Sequence, residues 1–386
     1  MQTLIYNATL VLPDHVVEGG WLLIEDERIL ALGESATCPA HRERTIDAGA
    51  NFLLPGLIDL HCDAIEKLVE PRPKVHFDVQ MALEEADWRL AGAGVTTEFH
   101  AISLDDNEFG TRSDSFMHDL SQALRGRTDL LVRHKIHARL ELSSQRGGHI
   151  IAQMIPQREF ELISLMDHSP GQGQYPTEDS FREYVARTTS RSYAEIDELL
   201  EKKRRQTVEI PRRIERVTRL AREAGLAIAT HDDDSAARVE QWPALGITMS
   251  EFPTTMEAAR RAHELGLAVC MGAPNVVRGK SSGGNLSALA AIQAGVADVL
   301  CSDYYPAAML MAAFILAKQG ILALPQAVRM VSLNAAQAVG LGDAYGSLEV
   351  GKVADMILVE LSRQELPRVQ RLFVGGCERI ERLKAT

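Results

Sequence analysis

The sequence has few cysteines and no pattern among them. Cys38, Cys62, Cys270, Cys301 and Cys377 are scattered, odd in number and free of any CxxC spacing. That excludes a disulfide framework and predicts reduced thiols in a cytoplasmic protein. A basic leader followed by a long apolar stretch is missing from Met1-Gln2-Thr3-Leu4-Ile5, so no signal peptide is expected. No apolar run approaches the length of a membrane span. An excess of positive charge is lacking too: the net charge of −12 argues against a general nucleic-acid binder, which carries a basic face. It leaves an anionic small-molecule substrate open, because the local field of a pocket can oppose the net charge. The GxxxxGK[ST] spacing of a P-loop is absent as well.

What is there is an ordinary globular composition, 46% hydrophobic and 24% charged over 386 residues. That length suits a barrel of about 250 residues with an appendage. The ends read as β-structure, with strand patterns at Leu4–Leu12, Gly20–Glu25 and Arg28–Leu32, and again at Ala354–Val359 and Arg371–Val374. Between them, apolar strands alternate with helical segments. Eight strands are expected near Leu57–His61, Val95–His100, Ile136–Leu142, Leu162–His168, Ala227–His231, Ile247–Phe252, Ala268–Gly272 and Asp298–Asp303. Eight strands alternating with helices favour a closed parallel (β/α)8 TIM-type barrel, expected over residues 55–344, with residues 1–54 and 345–386 forming a small composite β-sandwich. The charged stretch 169–225 reads either as a solvated helical excursion or as a lid over the barrel mouth, with Pro211 restarting a helix inside it.

The chemistry gathers at strand ends. His61 and Asp63 close the first apolar strand two residues apart, which on a regular strand puts both on one face. Imidazole and carboxylate are ordinary ligands for zinc, manganese or iron. His137, Arg139 and Glu141 alternate on the third strand; buried polar groups there need partners. Glu141, nearest the strand's C-terminal end, is expected to bind or bridge metal, whereas Lys135 lies too far down the strand. His168 and His231 each end another apolar strand, followed at His231 by Asp232-Asp233-Asp234, three acids that read as solvated or as a helix cap, with the site within reach of Asp233 as the alternative. Asp303 ends the last strand, where a carboxylate can ligate a metal and take a proton from a water the metal polarises. Lys67 and Arg72, after the first strand, and Arg278 and Lys280, in the Gly/Ser-rich segment after the seventh, suit a polyphosphate.

Two segments, Pro55-Gly56-Leu57-Ile58-Asp59-Leu60-His61 and Gly346 to Asp355, resemble the amidohydrolase superfamily at both ends of the chain. Further blocks resemble its PhnM-type branch: His61-Cys62-Asp63 through Pro71-Arg72-Pro73, Asp167-His168-Ser169-Pro170-Gly171, His231-Asp232-Asp233, Glu251-Phe252-Pro253-Thr254-Thr255, Met271 to Gly279, and Ser302-Asp303-Tyr304-Tyr305-Pro306. The resemblance implies a metal-dependent hydrolase of the carbon–phosphorus lyase pathway, converting α-D-ribose 1-methylphosphonate 5-triphosphate to the 5-phosphate and pyrophosphate. It implies one or two divalent ions, zinc foremost and manganese or iron as alternatives. One ion is expected with His61, Asp63 and the catalytic Asp303, a second with His168 and His231, and Glu141 between them. His137, Arg139 and Glu251 are expected to face substrate, with metal ligation by Glu251 left open. A cyclic-amide or N-acyl hydrolase is the rival enzyme, and a non-catalytic scaffold the rival of another class. A phosphorylated small molecule is the expected partner; self-association into a homo-oligomer stays open.

Overall fold

In the computed structural model, residues 1–40, 42–72, 74–104, 114–167, 177–188, 192–281 and 284–382 are described. Eight parallel strands follow one another around a barrel: β1 (Leu57–Cys62), β2 (Val95–Leu104), β3 (Arg133–Glu141), β4 (Leu162–Met166), β5 (Ala227–His231), β6 (Met249–Glu251), β7 (Ala268–Gly272) and β8 (Val299–Cys301). The seam between β8 and β1 is closed by the N–H of Asp303 donating to His61 O (2.8 Å) and the N–H of Asp63 donating to Asp303 O (2.8 Å). All eight strands lie where the apolar runs place them. Such runs form parallel strands because both faces are covered, one by the lumen and one by helices. Ile58, Leu60, Phe99, Leu162, Ala229, Met249, Cys270, Val299 and Cys301 fill the lumen. Leu57, Ile102, Ile136, Leu140, Ile163, Ile228, Val269 and Leu300 pack outward in the larger core beneath the helices.

One irregularity matters for the chemistry. On β1 and β2, Asp59 pairs with Glu98 and Cys62 with His100, three residues of one strand against two of the other. That is a β-bulge, and it sets Asp59 and Cys62 on the same face.

Both termini share one eight-stranded mixed sheet. Gln2–Val11, Val16–Glu25, Arg28–Gly33, Arg44–Asp47 and Phe52–Pro55 come from the beginning of the chain, and Met356–Leu361, Pro367–Val374 and Cys377–Glu381 from its end. Phe52–Pro55 pairs antiparallel with Met356–Leu361, so this sheet holds the segment that leads into β1. The last hairpin turns on Gly375 and Gly376, both at positive φ, as a two-residue hairpin loop requires. An added Cβ at Gly376 would overlap the carbonyl of Asp26. In the charged excursion, helices Glu178–Thr188, Tyr193–Thr207 and Ile210–Glu223 follow in succession, with Pro211 in the first turn of the third. No helix among the described residues is long and apolar enough to cross a membrane.

Candidate active site

The C-terminal ends of β1, β3, β5, β6 and β8 converge. His61, His231 and Glu251 each offer a ligand atom, all within 4.8 Å of one another. His61 Nδ1 is 3.2 Å from Glu251 Oε1. His137, one layer below, donates its Nδ1–H to Leu60 O (2.9 Å), which leaves its Nε2 a bare acceptor. That nitrogen lies 3.7 Å from Glu251 Oε2, and both atoms are buried without a hydrogen-bond partner. Two facing acceptors in a dry site call for a cation or a proton between them. Burial lowers the pKa of His61 well below its ordinary value, with Arg139 adding to the effect, and pushes His137 down to about 3. Both rings are thus neutral, the form in which imidazole binds metal. The donor set and its unsatisfied atoms fit a divalent ion.

Around this group the backbone is held in an uncommon conformation. Asp232 and Phe252, the residues that follow β5 and β6, and Asp303, two residues past the end of β8, have φ of 58°, 51° and 61°. Each is fixed by its N–H, which donates to Glu251 O (2.9 Å), Cys270 O (2.9 Å) and His61 O (2.8 Å) respectively. Left-handed non-glycine residues cost on the order of 1–2 kcal/mol each and persist where the surroundings over-determine them. The turn places the Phe252 ring against both imidazoles, with centroids 4.9 Å from His61 and 5.1 Å from His231. It also sets the Asp303 carboxylate at the mouth. Burial, and after it the charge of Asp63, raises Asp303 to about 7, while Arg139 opposes the shift.

The remaining expected residues fall into distinct places. Glu141 is buried, accepting from Ser143 Oγ (2.6 Å), and is not one of the His61–His231–Glu251 group. Arg139 reaches His231 Nε2 at 3.2 Å, and His231 Nδ1 lies 3.0 Å from Asp232. Asp63 directly precedes the helix Ala64–Val69 without capping it through its side chain. His168 lies outside the described residues. Lys67, Arg72, Arg278 and Lys280 are exposed, and Arg278 lies 3.4 Å from the Tyr304 hydroxyl, which brings the segments after β7 and β8 together. Asp233 does not serve the site. Its carboxylate accepts from Thr230 Oγ1 (2.5 Å), Ser250 Oγ (2.6 Å) and Trp242 Nε1 (2.9 Å), tying β5 to β6. Phe252 and Asp232 were not singled out from sequence; each directly follows a strand-ending polar residue, which is the signal that could have found them. Lys135 sits over the Phe99 ring and near Glu161, away from the histidines.

The model of the amidohydrolase family matches residues 204–379. The α-D-ribose 1-methylphosphonate 5-triphosphate diphosphatase of Escherichia coli is 36% identical over 362 residues, 92% of this chain and 94% of that protein. Among solved structures, 5-methylcytosine deaminase from Klebsiella pneumoniae superposes with a TM-score of 0.68 at 16% identity, covering 100% of this chain and 98% of that one. N-acetylglucosamine-6-phosphate deacetylase from Pasteurella multocida gives 0.65 at 13% identity, over 98% and 99%.

Proposed function

Because this chain belongs to the amidohydrolase family, we propose that it is a metal-dependent diphosphatase. Its substrate in this reading is α-D-ribose 1-methylphosphonate 5-triphosphate, cleaved to the 5-phosphate and pyrophosphate. The observation that carries the reading is a likeness to that diphosphatase over 92% of the chain, joined to a buried His/Glu group that fits a divalent ion. His61, His231 and Glu251 hold the ion, zinc by preference for such nitrogen and oxygen donors, with manganese or iron as substitutes. Asp63, Glu141 and His168 are further ligands in this reading. When bound, the ion supplies Lewis acidity to a phosphoryl oxygen and makes a nearby water more acidic.

The chain's own residues do the rest. Asp303, held at the β8–β1 seam, takes the proton of the attacking water. Its left-handed backbone fixes the direction in which the carboxylate faces the site. Arg139 and His137 orient the groups around the reacting phosphorus. Lys67, Arg72, Arg278 and Lys280 neutralise the triphosphate and the leaving pyrophosphate from the rim. Water adds across one P–O–P linkage, so no further co-substrate is needed.

The test is pyrophosphate release from this triphosphate by metal-loaded protein. Glu251→Gln is expected to lose bound metal, and Asp303→Asn to keep metal while losing turnover. Metal-loaded protein that spares the triphosphate but opens a lactam or N-acyl bond overturns the substrate.

A further inference from the structure

We propose a second metal site on the outer face of β1, formed by Asp59, Cys62, Glu98 and His100 and suited to a zinc-like transition ion. The bulge described above creates it: Asp59 stands opposite Glu98, and Cys62 opposite His100. Ligand atoms of Asp59, Cys62 and Glu98 lie within 4.8 Å of one another, all buried. His100 Nδ1 is 3.9 Å from Glu98 Oε1. Bonds of about 2.0–2.3 Å to a shared ion span gaps of this size.

Three observations point to a ligand there. First, Glu98 has no exposure, and neither of its oxygens has a hydrogen-bond partner. Asp59 uses Oδ1 to accept from the N–H groups of Ser302 (2.9 Å) and His61 (3.3 Å), leaving Oδ2 without a partner. Two buried carboxylates this close need a positive charge or a proton.

Second, with a neutral His134 behind it, the tautomer of His100 follows from its partners. Asp87 accepts the N–H groups of Leu131 (2.8 Å) and Val132 (3.0 Å) and lies 2.9 Å from His134 Nε2. A carboxylate only accepts, so His134 donates from Nε2, and as a neutral ring it accepts at Nδ1, where His100 Nε2 approaches to 2.8 Å. His100 therefore donates from Nε2 and turns a lone pair, on Nδ1, towards Glu98. An imidazole whose far N–H is fixed by a relay ending on a carboxylate is the usual support of a metal-ligating histidine.

Third, there is a way in. A cavity of about 240 Å³ is lined by Cys62, Glu98 and His100, with Arg89, Leu68 and Tyr305 among its other walls. It leaves room for an ion and a coordinated water. Cys62 gives up its proton on binding, as thiol ligands do.

Cobalt(II) loaded into the full chain is the probe, because a thiolate on cobalt gives a near-ultraviolet charge-transfer band that nitrogen and oxygen ligands do not. The band is expected in the unmodified protein and in His231→Ala, and should vanish in Cys62→Ser. Glu98→Gln, nearly isosteric, is expected to bind one cobalt fewer per chain. An unmodified protein without the band refutes the site whether or not any variant folds. So does a band that survives Cys62→Ser. An unchanged cobalt count in Glu98→Gln means that Asp59 and Glu98 share a proton instead.

Discussion

Gly272 offers a perturbation that separates the site from the fold. It ends β7 with φ −77° and ψ 122°, a conformation any L-residue adopts, so Gly272→Ala carries no backbone strain. The new methyl would sit 3.6 Å from Asp303 Oδ2, 3.6 Å from Phe252 and 3.8 Å from Asn275, ordinary contact distances with nothing forced to move. Folding stability should therefore stay within about 0.5 kcal/mol, or rise by about 0.4–1 kcal/mol through a less flexible unfolded chain. The same methyl occupies the space over the carboxylate, where water and a phosphoryl group must meet. Misplacing reacting groups by about 1 Å costs on the order of 100-fold. A fall in kcat/KM of roughly 10–100-fold is expected, about 1.4–2.7 kcal/mol of lost transition-state stabilisation. Urea denaturation and pyrophosphate release from one preparation give both numbers. Activity within about twofold of the unmodified enzyme would show that the reaction does not take place over Asp303. A loss of several kcal/mol in stability would show that the space is not there.

In metal-stripped protein, Asp303 is raised from 3.8 to about 7. A raised folded-state pKa gives stability that is complete below the unfolded value and is lost as pH climbs through the folded one. Between pH about 4 and 7 the loss should reach a few kcal/mol, at most about 4. Asp303→Asn should remove that share of the slope in urea melts run across the window, leaving what Asp59 and Glu98, both also raised by burial, contribute; an equal slope in both proteins refutes the assignment. At the far end of the molecule, Gly376→Ala must adopt a positive φ and displace the Asp26 carbonyl. It is expected to cost about 2–5 kcal/mol in equilibrium denaturation, and a cost below about 1 kcal/mol would mean that the two hairpin turns are not in contact.

Much of this was legible in the residues. Barrel strands buried on both faces read as apolar runs, and polar residues at their ends cannot be paid off by packing, so His61, His231 and Asp303 stood out. The short edge and linking strands Arg44–Asp47, Phe52–Pro55 and Cys377–Glu381 did not, because four or five residues with mixed polarity carry no period. The bulge was invisible for a related reason. Alternation along β1 assumes that every residue has one opposite number, and only the pairing with β2 shows three against two. Glu251 was recognised as polar at a strand end, but its place between His61 and His137 depends on the closure of the ring. The place of Asp233 was not legible, because three consecutive acids give no hint that the middle one is claimed by Trp242, Thr230 and Ser250.

The terminal sheet has a consequence for the order in which the protein is built. Phe52–Pro55 enters β1 through Gly56 alone, and its antiparallel partner is Met356–Leu361. A ribosome must therefore add about three hundred residues before that pairing can form. Until then Phe52–Pro55 is paired on one side only, with Thr9 and Leu10 of the strand Gln2–Val11, while the barrel strands already have their neighbours. Contacts so distant in sequence form late. The nascent chain is thus expected to close the barrel that carries its chemistry before it completes the terminal sheet, and the exposed Phe52–Pro55 edge is the surface a chaperone has most reason to cover in the interval.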